Sequence, residues 1–157
     1  MRVYQFRVSI MGIPKLYRKI EASENCTFDD LHDAIFQAFD RVEEHLYSFF
    51  ITRKDTSSTR AIYDAPEITH PMNGEHTIGF GPSRKTTAKT RIGDVGLNEK
   101  DIFHYLFDFG DDWWHRIKVQ SIIETKSKKK HIKLIKAVGE SPPQYPDYDE
   151  DYDEDYE

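Results

Sequence analysis

Only one stretch of this chain spaces its apolar residues as a long helix does. Phe28, Leu31, Ile35 and Phe39, with Ala34 and Ala38 beside them, recur at three- and four-residue intervals and lay a single apolar stripe along residues 27–40. Thr27 stands where an N-cap would accept the N–H of Asp30, and Asp29 and Asp30 lie where the helix dipole favours negative charge. Nearly everything else that is regular has a period of two. Tyr4, Phe6, Val8 and Ile10 alternate with polar residues, Gly12 and Pro14 punctuate, and Leu16, Ile20 and Ala22 resume the alternation, so the chain is expected to open with a β-hairpin.

Further strands are expected at 45–51, 60–63, 102–109, 113–123 and 132–138. Gly110 to Asp112 reads as a hairpin turn, residues 92–97 as a short helical turn and Lys126 to Lys130 as a basic turn. Residues 64–89 hold Pro66, Pro71, Gly74, Gly79, Gly81 and Pro82 and read as one long loop. One strong helix among several half-buried strands predicts an α+β fold, an antiparallel-rich roll with one main helix packed on the sheet.

At 157 residues the chain has the mass of one core. Residues 1–143 are expected to form a single domain and 144–157 a disordered acidic tail, because Asp147 to Glu157 contain eight acidic residues, three tyrosines and no base. That segment also accounts for the net charge of −6: the remaining residues carry 22 bases against 20 acids. So neutral a body argues against affinity built on phosphate contacts. Cys26 is the only cysteine, which excludes an internal disulfide and a thiolate metal cluster, and its acidic neighbours oppose a reactive thiolate. No run approaches the eighteen or so apolar residues of a membrane span, and Met1 to Ile10 read as a strand, so a soluble, cytoplasmic protein is expected.

Polar and aromatic groups are densest from Tyr105 to His115. Asp111 and Asp112 at a turn, with Asp108 and His115 flanking it, offer oxygen and nitrogen ligands to a common cation. Turn chemistry explains the same Asp-Gly-Asp pattern without any ligand, and Trp113 and Trp114 suit a sheet cap. His32 beside Asp33, and His45 at the head of an aromatic strand, are further imidazoles with either a packing or a ligand role.

With these residues in view the chain resembles the plasmid pRiA4b ORF-3-like family. The resemblance rests on Leu16 to Ile20, Leu31-His32-Asp33-Ala34-Ile35, His45-Leu46-Tyr47-Ser48-Phe49, Ile92-Gly93-Asp94 and above all Tyr105 to His115. It implies an α+β roll with associations to mobile elements and no established activity. It also implies a Cys-Pro-Pro segment after the Gly139 region, where this chain has Ser141 before Pro142 and Pro143.

The expected function is a binding or adaptor module with a polar-aromatic groove near the 108–115 hairpin and a protein or small molecule as partner. His32, His45, Tyr47, Asp108, Gly110, Asp111, Asp112, Trp113 and His115 form the binding set, and no residue is singled out as catalytic. The alternatives are a hydrolase or nuclease using a divalent metal at the Asp/His cluster, and a nucleic-acid-associated protein contacting through Lys126 to Lys130.

Overall fold

The computed structural model describes residues 1–74 and 85–144. Its strands are β1 Arg2–Ile10, β2 Ile13–Ser23, β3 Tyr47–Phe50, β4 Glu67–Thr69, β5 Lys85–Thr86, β6 Ile102–Phe107, β7 Trp113–Glu124 and β8 Ile132–Val138. They join in one eight-stranded sheet of order β5-β4-β3-β6-β7-β1-β2-β8, in which β4 and β5 run parallel and every other pair antiparallel. The protein is mostly sheet with few helices.

The longest helix, α1 (Phe28–Ala38), starts on the expected cap: Thr27 Oγ1 accepts the Asp30 N–H at 3.1 Å and the Asp30 carboxylate accepts the Thr27 N–H at 2.9 Å. This reciprocal box satisfies two of the donors a helix start leaves open. At the far end no basic residue of α1 meets the exposed carbonyls. Buried Arg18 does so from β2, its Nε donating to Ala38 O at 2.9 Å while Nη2 donates to Ser141 Oγ at 2.8 Å. Ser141 thus ties the chain beyond β8 to the end of α1.

Alternation along the strands decides what lies under α1. Tyr4, Phe6 and Val8 of β1, Phe49 of β3, Phe103, Tyr105 and Phe107 of β6 and Ile117 and Val119 of β7 join Phe28, Leu31 and Ile35 in one core. Phe28 sits edge-on to Phe49 and Phe103, with ring centroids 5.2 and 6.3 Å away. Strand β6 is buried along its whole length because its opposite face is covered too: Leu106 packs with Phe50, Trp114 and Ile62 in a smaller cluster.

Two expectations are corrected. Residues 60–63, read as a strand from Ile62 and Tyr63, belong to helix α2 (Thr59–Tyr63). Ser58 Oγ accepts the Ala61 N–H at 3.3 Å, and the apolar pair that suggested β-structure instead covers the back of the sheet. Residues 64–89, read as one loop, contain β4, β5 and a helical turn at Pro71–Gly74. Pairing overrode local composition there, since β4 extends β3 through Ser48↔Thr69 and Phe49↔Ile68. The remainder of that expected loop, 75–84, and the acidic stretch 145–157 lie outside the described residues.

Gln144, assigned by composition to the tail, is buried. Its side-chain oxygen accepts the Val42 and Glu43 N–H groups at 2.8 and 3.1 Å, and its nitrogen donates to Glu43 O at 2.8 Å. Cys26 is a buried free thiol whose pKa is raised by burial. No helix among the described residues is long and apolar enough to cross a membrane.

Candidate functional site

His32 lies on the inner face of α1, 1% exposed, over the aromatic side chains of β3 and β6. Its Nε2 is 2.9 and 3.2 Å from the two oxygens of Glu44, and its Nδ1 is 2.6 Å from Tyr105 Oη. A carboxylate only accepts, so Nε2 carries the ring proton and the Tyr105 hydroxyl donates to Nδ1. Burial keeps the imidazole neutral, pulling its pKa down to about 3 against the opposing Asp29 charge, and burial also holds the Tyr105 phenol far above its ordinary value. The imidazole stacks on Tyr47 at 3.7 Å between centroids, with 3° between planes. Tyr47 Oη donates to Asp29 Oδ1 and lies 2.8 Å from Thr87 Oγ1.

Tyr105 links this imidazole to a second. Its carbonyl lies 3.3 Å from His115 Nδ1, while Arg41 Nη2 is 2.7 Å from His115 Nε2. A guanidinium only donates, so Nε2 of His115 accepts and Nδ1 donates: this imidazole too is neutral, with burial and then the Arg41 charge driving its pKa well below the ordinary value. Arg41 is itself buried, its pKa lowered by burial to about 10. It lies over the rings of Phe107, Phe39 and Trp113 at 4.9, 5.2 and 5.5 Å. Arg41 Nη1 and Trp113 Nε1 are buried donors without a hydrogen-bond partner.

The 108–112 turn departs from the cation geometry considered from sequence. Asp108 adopts a φ of +62° and Asp112 of +54°. Asp108 Oδ1 accepts the N–H groups of Gly110 and Asp111 at 3.1 and 3.3 Å, and Oδ2 is 3.5 Å from His45 Nε2. That is the self-bonding turn use of an aspartate. Asp111 and Asp112 project into solvent, and both His115 nitrogens are committed elsewhere, so Asp108, Asp111, Asp112 and His115 do not converge.

Adjacent strand residues point to opposite faces. Trp113 therefore lies against Arg41 on the α1 side, whereas Trp114 packs on Phe50 and Tyr63 of the other face, at centroid distances of 5.9 and 5.6 Å. A pocket of about 400 Å³ opens beside the hairpin, lined by Ile10, Met11, Ile13, Ile62 and both tryptophans, with Asp111 and Asp112 at its margin.

A different set of donors does converge. His32, Asp33 and Glu44 each place one ligand atom so that all lie within 4.8 Å of one another. Burial, then the Asp29 and Glu44 charges, pushes the Asp33 carboxyl up to about 6, and burial followed by Asp29 raises that of Glu44. Sequence singled out His32 and noted its neighbour Asp33. Glu44 and Arg41 were missed because they occupy an aperiodic connection between α1 and β3.

A mostly-β protein with paired buried imidazoles beneath its longest helix is thus the class defined by fold and site. The chain belongs to the plasmid pRiA4b ORF-3-like protein family, matched over residues 2–154. It is 25% identical over 133 residues to the uncharacterized protein y4hQ of Sinorhizobium fredii (strain NBRC 101917 / NGR234), covering 83% of this chain and 59% of that relative's length. It also resembles the crystal structure of MM3350, a protein of unknown function from Methanosarcina mazei Go1. There the TM-score is 0.68 at 25% identity, over 98% of this chain and 78% of the other.

Proposed function

We propose that this protein is a non-catalytic binding module, a roll folded as one unit through about residue 143 with an acidic tail beyond it, whose groove beside the 108–115 hairpin takes an apolar peptide segment bearing a basic side chain. The observation that carries this reading is the composition of the groove: Ile10, Met11, Ile13, Ile62 and the two indoles line it, and two exposed carboxylates, Asp111 and Asp112, stand at its margin. Neither has a Lys or Arg partner among the described ion pairs. Aromatic anchors beside unpaired charge are the features that peptide-binding surfaces use for affinity and for register respectively.

A cytoplasmic setting accords with a lone, buried, free Cys26. The hydrolase reading at the hairpin has less support, because His115 is sealed between Arg41 and Tyr105. The nucleic-acid reading has less support too, since the body is nearly neutral and Lys130 of the Lys126 to Lys130 turn is paired with Asp30 at 2.8 Å.

Panning a random dodecapeptide display library against the protein tests the proposal. Enriched peptides should carry apolar residues next to Lys or Arg, and both Trp114→Ala and the Asp111→Asn/Asp112→Asn double variant should weaken them at least tenfold, as expected for loss of a buried aromatic anchor or a charge pair. Enriched peptides that bind these variants as tightly as the parent would remove the groove from consideration.

A further inference from the structure

Apart from that groove, with which it shares no residue, we propose that His32, Asp33 and Glu44 form a binding site for a first-row divalent cation, with Zn²⁺ or Mn²⁺ as the matching ions. One imidazole nitrogen and two carboxylates make a mixed nitrogen-oxygen donor set of the kind these ions accept.

The three donors come from two elements. His32 and Asp33 are successive residues in the middle of α1 and diverge around the helix, so they share a focus only because the connection before β3 brings Glu44 alongside them. The ligand atoms already lie within 4.8 Å of one another, and Nε2 of His32 faces Glu44 at 2.9 Å. Donors at about 2.1 Å from a common ion stand roughly 3–3.5 Å apart, so side-chain rotation of the two exposed carboxylates closes the site without backbone movement. The imidazole is held in place by its stack on Tyr47, which supplies the rigid ligand to which the mobile ones can adjust.

No Lys or Arg pairs with Asp33 or Glu44 among the described ion pairs. Asp29 lies beside the pair with its own carboxylate taken up by Tyr47, and the only ion-pair partner found for Asp33 or Glu44 among the described residues is the neutral His32. Binding replaces the Nε2–H···Glu44 hydrogen bond by coordination. The ring proton passes from Nε2 to Nδ1, where Tyr105 Oη at 2.6 Å accepts it, and the Tyr105 hydroxyl hydrogen gives up its acceptor. Such an oriented second ring nitrogen is the usual support of a metal-binding histidine. Solvent fills the remaining positions, since Asp33 and Glu44 both open outward.

The test uses the full chain, stripped with chelator and titrated calorimetrically with Zn²⁺ and separately with Mn²⁺, alongside the Asp33→Asn/Glu44→Gln double variant. Both substituted side chains are exposed, and circular dichroism and the metal-free melting temperature check that the variant folds. The expected result is one site per chain, weakened at least tenfold in the variant, with Zn²⁺ moving the ¹⁵N resonance of His32 Nε2 from its protonated to its metal-bound range. Binding that is undiminished in the variant would place the cation elsewhere, the acidic stretch 145–157 included, and would overturn the proposal. So would a flat isotherm for both ions, or a His32 resonance that does not move. None of these outcomes bears on the peptide groove, which shares no residue with this cluster.

Discussion

Acidification should unfold this protein earlier than its surface charge alone would dictate, because His32 is sealed in the neutral state. In an unfolded chain its imidazole titrates near 6.5, whereas in the fold burial lowers it to about 3. A base whose folded pKa is depressed contributes no penalty above the unfolded value, and stability is lost as the pH falls through it, since only the unfolded chain takes up the proton. At pH 5 the unfolded side chain is about 1.5 units below its pKa, and at about 1.36 kcal/mol per unit His32 alone withdraws about 2 kcal/mol relative to pH 7.5. His115, likewise buried and depressed, acts in the same direction. Asp33 and Glu44, whose carboxyls are raised, act oppositely, because acid discharges them more readily in the fold. A difference measurement isolates the imidazole: urea midpoints of the parent and of His32→Gln at pH 7.5 and 5.0, in chelator. The variant is less stable at pH 7.5, having lost the stack and both hydrogen bonds, and the gap should narrow by about 2 kcal/mol at pH 5. A gap that does not change with pH, or a His32 ring resonance titrating near 6.5, would refute the reasoning.

Two further substitutions test the frame that holds the site. Thr27→Ala removes the cap acceptor of α1 and should cost about 1 kcal/mol, read as a lower urea midpoint at unchanged slope. Gly139→Ala should cost about 1–2 kcal/mol by the same assay: Gly139 has a φ of +85°, and an added Cβ would stand 2.6 Å from Leu16 Cδ1, so backbone strain and a forced rotation of that side chain add together.

Local pattern carried much of the architecture. The first hairpin, the capped helix and the 102–124 hairpin all declare themselves within short contiguous stretches, because period and turn chemistry are local. The order of the sheet is not local. Nothing near Tyr4 announces that Ile122 lies opposite, or near Tyr47 that Phe107 does. Helix α2 was misread for a related reason: five residues containing Ile62 and Tyr63 have no helical period to display, and Ser58 with the packing against Phe50 and Trp114 decides their state.

At the candidate site the residue types were visible and their partners were not. His32, Tyr47 and His115 were singled out, yet they are joined by Tyr105, which spacing marks only as a strand aromatic. Asp111 and Asp112 were drawn into a cation site by proximity along the chain, although Asp108 spends one carboxylate oxygen on its own turn. The division of Trp113 from Trp114 was legible in principle, since neighbours in a strand cannot face the same way.

The placement of β1 between β2 and β7 has a cost during synthesis. Its left-hand neighbour in the sheet leaves the ribosome roughly a hundred residues after β2 does, an interval on the order of 5–20 s at about 5–20 residues per second. Through that delay the newborn hairpin carries a naked flank beside Tyr4, Phe6, Val8 and Ile10, long and apolar enough to recruit another nascent chain. Yield of soluble protein should therefore respond to chaperone supply and translation speed more than to the strength of any contact in the finished sheet.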